Sequence, residues 1–289
     1  MAISLGGGGS ASQINEVVFL NEITSTVTLA DGRVYLKGGV FESNINTYPN
    51  ARRTFAALGT NFSVFPYTSP SGIVWDGTYF QVTDSNNHLV RKFNASGVFQ
   101  SQFSVSAQMG TTPMDITWDG SAYWILSATY DSVYKYNSSG VYQNVSFSVA
   151  AQSGSPTGIT WDGTYFYVCD SANDEVYKYN ASGVYQNFSF DVQAVNANTP
   201  QAITFDGTFL WVICSGSDKA YKFSTAGVFT GDVFSTASPA IEVAPTGITW
   251  DGSALWTIGT WQAKVHKFSA VNGMVSDTSF GAQNYVRVA

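Results

Sequence analysis

Along most of the chain, apolar and polar residues alternate in short runs, cut at regular intervals by Asp-Gly and Asn-x-Ser-Gly. Residues 156–192 show the pattern. Gly158-Ile159-Thr160-Trp161 is short and rich in β-formers, and Asp162-Gly163 follows as a two-residue turn of the kind that closes a tight hairpin. Tyr165-Phe166-Tyr167-Val168-Cys169 is aromatic and β-branched and reads as a second strand. Polar residues 170–174 interrupt it. Val176-Tyr177-Lys178-Tyr179 makes a third strand. Asn180-Ala181-Ser182-Gly183 is a turn with glycine where positive φ is expected, and residues 184–192 form a fourth strand. No window of helical period occurs here, so the pattern predicts four antiparallel strands.

The same unit recurs. Pro-x-Gly-Ile-x-Trp-Asp-Gly occupies residues 70–77, and variants follow at 113–120, 156–163, 200–207 and 245–252, in steps of 43, 43, 44 and 45 residues. That period fits a four-stranded propeller blade, and a single blade cannot bury both of its faces without neighbours. The expected fold is therefore all-β: a β-propeller of five four-stranded blades. Gly72, Gly158, Ala202 and Gly247 recur as small residues that would allow close approach near the axis; Asp115 replaces them in the second copy. Asn61-Phe62-Ser63-Val64 resembles the end of a repeat and is expected to pair with the last blade and close the ring. A degenerate sixth blade over residues 27–64 is the alternative, since Asp31-Gly32 lies 45 residues before Asp76-Gly77. Residues 34–49 do not reproduce the second and third strands, which favours five. The division is a β-rich N-terminal attachment segment, 1–60, opening on a glycine run at Gly6 to Gly9, and a propeller, 61–289.

Composition narrows the chemistry. Charged residues make up 11% and aromatics 15%, against roughly 25% charged in an ordinary domain. That excludes a disordered chain. With a net charge of −7 and no basic cluster, nucleic acid is not an expected partner. No apolar run is long enough to span a membrane, and Met1 to Leu5 lacks the basic and apolar regions of a signal peptide. Two cysteines, Cys169 and Cys214, fall one place apart in their aligned strands. Their side chains are expected on opposite faces, as buried free thiols without a disulfide.

Antiparallel order puts the Asp-Gly and Asn-x-Ser-Gly turns on one face, here the turn face. The loops between second and third strands, and those between blades, lie on the other, the loop face. The turn face is uniform from copy to copy and the loop face is not, so recognition is expected on the loops. Candidate ligand-binding residues there are Tyr130, Asp131, Trp261, His88 and Asp174. Aromatics beside carboxylates suit saccharide stacking. His266 reads as packing. Asp84 and Asp170, aligned at the ends of second strands, are too few for a calcium site of 6–8 oxygens. The recurrent Lys92, Lys135, Lys178, Lys222 and Lys267 read as structural pairs of the turn aspartates or as solvated edge residues. Asn94, Asn137 and Asn180 match glycosylation acceptors but serve equally as turn residues. No nucleophile elbow, zinc-protease or phosphate-loop motif is present. The expectation is no catalytic residue, no metal, no cofactor and no enzymatic activity.

The passage Val34-Tyr35-Leu36-Lys37-Gly38-Gly39-Val40-Phe41-Glu42-Ser43, ending at Tyr48-Pro49-Asn50-Ala51, resembles a segment of bacteriophage and prophage tail-fibre and tail-associated proteins. There it precedes repeats similar to Thr157-Gly158-Ile159-Thr160-Trp161-Asp162-Gly163-Thr164-Tyr165-Phe166 and Val176-Tyr177-Lys178-Tyr179-Asn180. The resemblance implies a structural virion protein of a tail fibre or tail tip. Its N-terminal segment would dock on other phage tail proteins, and its propeller would face a host-surface glycan or protein. It further implies a homo-oligomer such as a trimer, with no nucleic acid partner and no membrane insertion. A secreted or surface lectin-like bacterial propeller and a two-carboxylate glycosidase are the alternatives.

Overall fold

A computed structural model describes residues 19–20, 25–28, 34–37, 41–42, 54–64, 69–110, 112–236, 244–260, 263–271 and 285–287. The chain divides into two compact units: Ala56–Ser269, and Met1–Phe55 together with Ala270–Ala289. In the second of these, Val34–Lys37 is the middle strand of a three-stranded sheet, between Ser25–Thr28 and Tyr285–Arg287. Phe19–Leu20 pairs with Phe41–Glu42.

The larger unit is a five-bladed propeller. Blades I to IV take their four strands in sequence order. Blade I uses Pro70–Trp75, Tyr79–Asp84, Leu89–Asn94 and Phe99–Ser104; blade III uses Pro156–Trp161, Tyr165–Asp170, Glu175–Asn180 and Tyr185–Asp191. Blade V is composite. Pro245–Trp250, Leu255–Gly259 and Lys264–Val271 are completed by Thr54–Ser63 from the other end of the chain. The first strands of all five blades touch in a closed circle. The ring-closing strand expected from Asn61-Phe62-Ser63 is present and reaches back to Thr54, which leaves no sixth blade.

The repeated residues explain the repeat. Each turn aspartate caps the backbone of its own Asp-Gly turn and also receives a bond from an aromatic in the second strand. Trp124 Nε1 donates to Asp119 Oδ2 at 2.7 Å, Trp211 to Asp206 at 2.8 Å and Trp256 to Asp251 at 2.6 Å. Blade III uses the Tyr167 hydroxyl. Blade I has Gln81 there, and Tyr123 of blade II reaches across to Asp76 at 2.6 Å. Lys135, Lys178, Lys222 and Lys267 lie over the same aromatics, and Lys92 lies over Tyr79. Lys135 and Lys267 also pair with Asp119 and Asp251 at 3.4 Å, whereas Lys222 pairs with Asp232. The Asn94, Asn137 and Asn180 side chains accept backbone N–H bonds within their turns, as turn chemistry requires.

Between blades the aromatics fill the wedge. Phe62 of the closing strand packs on Phe80, Phe93 and Trp256, with ring centroids 5.4, 5.8 and 6.2 Å away. Burial of such side chains stabilises by roughly 1.5–3 kcal/mol each. At the axis the small residues are obligatory. A Cβ on Gly158 would fall 2.6 Å from the Ala202 Cα, and one on Gly247 3.0 Å from the Gly72 Cα.

The two cysteines point to opposite faces of their blades, as expected, and the ring brings those faces together. Cys169 faces blade IV and Cys214 faces blade III, so the two thiols enter the same cluster between these blades. Opposite faces of successive blades look at each other, which the alignment of strands within one blade did not convey. Both cysteines are free and buried. Burial pushes both thiols up; Cys214 adds to the rise at Cys169, and Asp174 adds to it at Cys214. Neither is therefore a ready nucleophile. Iodoacetamide at neutral pH is expected to label neither thiol in the native protein and both after unfolding; mass spectrometry of the intact chain reads this, and native labelling would refute the packing described.

Candidate functional site

The axis is the first place to look for a site, because it is where five blades converge. It is occupied by protein. Hydroxyls at the second position of the first strands bridge to the proline carbonyl of the next blade: Ser71 to Pro113 at 2.7 Å, Thr157 to Pro200 at 2.7 Å and Thr246 to Pro70 at 2.9 Å. Blade II has Met114 at this position and uses the adjacent Asp115 instead. Its Oδ2 accepts from Ile159 N of blade III and its Oδ1 from Ile116 N, each at 2.9 Å. The Ile73 N–H of blade I also favours the charged form of this carboxyl. Asp115 is 1% exposed. Burial pushes its carboxyl well above the usual range, and the three N–H donors pull against that rise.

The loop face carries the sequence candidates. His88, Asp131 and Asp174 prove to be one position in three blades: the residue just before the third strand, with φ of 55°, 45° and 54°. Its backbone has the same task in each. The carbonyls of His88, Asp131 and Asp174 accept from Val105, Val149 and Val192 N at 3.0, 2.7 and 2.9 Å, which ties the end of the fourth strand to the start of the third. Asp218 and Ala263 repeat this in blades IV and V, with Thr236 and Val64 as donors. Part of the face that looked free to vary is thus architecture.

The side chains differ. Asp174 accepts from Thr199 N at 2.7 Å and Gln193 Nε2 at 3.0 Å, holding the loop to blade IV; Asp218 holds Ala244 N in the same way. Asp131 shares this backbone, but the next loop is held by another carboxylate. Asp170 accepts from Ser153 Oγ at 2.7 Å and from Ser155, Ala172 and Asn173 N. Burial raises the Asp170 pKa, and these four donors outweigh it, so the group sits below the usual carboxylate range. Asp131 therefore has no loop to hold, and beside it Tyr130 is 53% exposed. The Tyr130 ring is set against Gly110, where a Cβ would come within 3.2 Å of Cε2 and the hydroxyl. Gly110 follows the short helix Ser106–Met109 of the loop between blades I and II, and Thr112 and Thr129 bridge the two loops at 2.8 Å. Tyr130 and Asp131 thus present an aromatic face and a carboxylate side by side. His88 is half-buried in blade I, and Trp261 lies outside the described residues.

Asp84 is built into blade I. It accepts from Arg91 Nε and NH2 at 3.1 and 2.8 Å and from Asn87 N and Nδ2 at 3.0 and 2.9 Å. Arg91 occupies the place held by Tyr134, Tyr177 and Tyr221 in the next three blades and by His266 in the last. His266 is buried opposite Thr257. Burial, and then Lys264, hold the imidazole below its ordinary pKa. Sequence reading singled out neither the Asp84–Arg91 pair nor the axial role of Asp115, although both break the repeat.

No protein-family model and no curated protein matches the sequence. Solved structures do match. Glutaminyl cyclase of Myxococcus xanthus aligns with a TM-score of 0.61 at 11% identity, over 77% of this chain and 99% of that one. A luciferin-regenerating enzyme gives 0.51 at 14% identity, over 82% and 98%. Regucalcin of Agrobacterium tumefaciens, a calcium-binding protein, gives 0.50 at 12%, over 76% and 96%. The likeness is one of fold. It also corrects an expectation. Two of these chains are enzymes on the same scaffold, so a sequence without a recognised catalytic motif is no ground for excluding enzymatic activity.

Proposed function

We propose that this chain is a structural virion protein of a phage tail, in a fibre or tip, whose propeller offers its loop face to a host-surface glycan or protein. The observation that supports the reading most directly is where the chain enters and leaves the propeller. The third strand of blade V ends at Val271 and the closing strand begins at Thr54. Both points fall on the turn face, where the other blades have their Asn-x-Ser-Gly turns. Neither connection to the rest of the chain leaves from the loop face. On it, Tyr130 and Asp131 offer a rigid ring and an acceptor, the combination that stacks on a sugar and takes its hydroxyl protons. The resemblance of residues 34–51 to tail-associated proteins supplies the setting: docking of the N-terminal segment on other tail proteins, in a homo-oligomer such as a trimer. Linked copies of a weak site would then raise avidity without new contacts.

The test is a glycan array and a panel of bacterial cells, probed with the labelled full chain and with Tyr130→Ala and Asp131→Asn. Binding that each variant weakens by about tenfold, the loss expected for one stacking or charged contact, supports the reading. Binding that both variants leave unchanged overturns the assignment to this loop. Absence of the chain from purified virions of the phage or prophage encoding it overturns the tail assignment. Release of reducing ends from a bound polysaccharide would add hydrolysis to recognition.

A further inference from the structure

We infer that the propeller axis is an anion site built from backbone N–H groups, and that the chain fills it with its own Asp115 carboxylate. Three blades contribute. Ile116 of blade II and Ile159 of blade III donate their N–H groups to this one side chain at 2.9 Å, and the Ile73 N–H of blade I favours its charged form. These contacts are all donors, which favours the charged carboxylate against the rise in pKa that burial imposes; a protonated carboxyl would need an acceptor for its own hydrogen. The equivalent strand isoleucines, Ile203 and Ile248, follow Ala202 and Gly247 in the remaining blades, so the ring of first strands is the same all round.

Close packing explains why only one blade supplies the ligand. The Gly72 Cβ position lies 2.3 Å from Asp115 Oδ1 and 2.6 Å from the Asp115 Cα, so a side chain in blade I would displace the carboxylate. Gly158 is barred in the same way by Ala202. The sequence of small, acidic, small, small, small around the axis is what one central carboxylate demands. Backbone N–H groups gathered in a concavity favour anions generally, and here they are shielded from water, so the vacancy left by a missing side chain would attract a small carboxylate of similar shape. With the site filled in cis, the axis is closed at this level.

Asp115→Ala removes the carboxylate and keeps the Cβ. The full-length variant is expected to melt about 10 °C below the parent, since up to three buried N–H groups lose their acceptor. Sodium formate at about 100 mM should recover part of that loss, because it supplies the missing charge and oxygens. Formamide, of like size but neutral, should not. Asp115→Asn should also melt well below the parent, because its NH2 group opposes an N–H donor. Should Asp115→Ala not fold unaided, its soluble yield on refolding in formate against formamide reads the same contrast. Two results overturn the inference: a formate shift no larger in the variant than in the parent, or a melting temperature of Asp115→Asn equal to that of the parent.

Discussion

Removing residues 1–60 is expected to break the propeller, whereas removing residues 1–53 should leave it folded. The boundary matters because Thr54–Ser63 is the fourth strand of blade V. The shorter truncation keeps it whole. The longer one leaves only Asn61, Phe62 and Ser63 of the strand, with Val64 bonded to the Ala263 carbonyl at 2.8 Å. Most of the edge of Lys264–Val271 would then lose its partner strand, exposing unpaired backbone groups that invite aggregation. Phe62 would also lose the chain that holds it among Phe80, Phe93 and Trp256. A propeller gains cooperativity by joining its first and last blades, so the damage should not stay local. The 1–60 truncation is expected to elute as aggregate, or to melt more than about 10 °C below the 1–53 truncation, consistent with losing several kcal/mol in a chain of this size. Circular dichroism melts and size-exclusion chromatography of the two check this. Equal melts would mean that the closing strand contributes nothing to stability.

That boundary also shows what a repeat discloses and what it hides. The blade period, the tight Asp-Gly turns and the closing role of Phe62 are legible because each is a local pattern copied five times or nearly so. Relations between blades are not copied into any one repeat. Cys169 and Cys214 show this: each strand's alternation puts them on opposite faces, as found, but the space they share belongs to two sheets. Asp174 and Asp131 show the converse. The structure places them at one position with one backbone role and separates their side chains, because Asp174 holds the backbone of Thr199. Asp115 stands out in the alignment as an exception to a row of small residues. Its partners, Ile73 and Ile159, lie in the blades on either side of its own, and no spacing along the chain marks them as neighbours. Catalysis was the expectation most exposed to this limit, since carboxylates from separate loops can meet without leaving a motif.

Arg91→Ala is expected to be the costliest single truncation outside the axis. Arg91 and Asp84 have side chains 6% and 1% exposed and meet at 2.8 Å. Removing the guanidinium strands a buried carboxylate that still accepts from Asn87 but has lost its counter-charge. Breaking such a pair from one side costs about 3–5 kcal/mol, which lowers the melting temperature of a chain this long by roughly 10 °C. The pair itself need not be a large net source of stability, because desolvating two charges offsets most of their attraction. The neighbouring blade offers the control. Blade II fills the same two positions with Ser127 and Tyr134, both within a well-packed junction. The double replacement Asp84→Ser with Arg91→Tyr should therefore cost less than Arg91→Ala alone, even though it changes more atoms. Thermal melts of the two single replacements and the double one give the coupling energy directly. If Arg91→Ala melts within about 2 °C of the parent, below what even 1 kcal/mol of lost stability would produce, the charge is not buried as described. If the double variant is worse than both singles together, the blades are less interchangeable than their shared sequence implies.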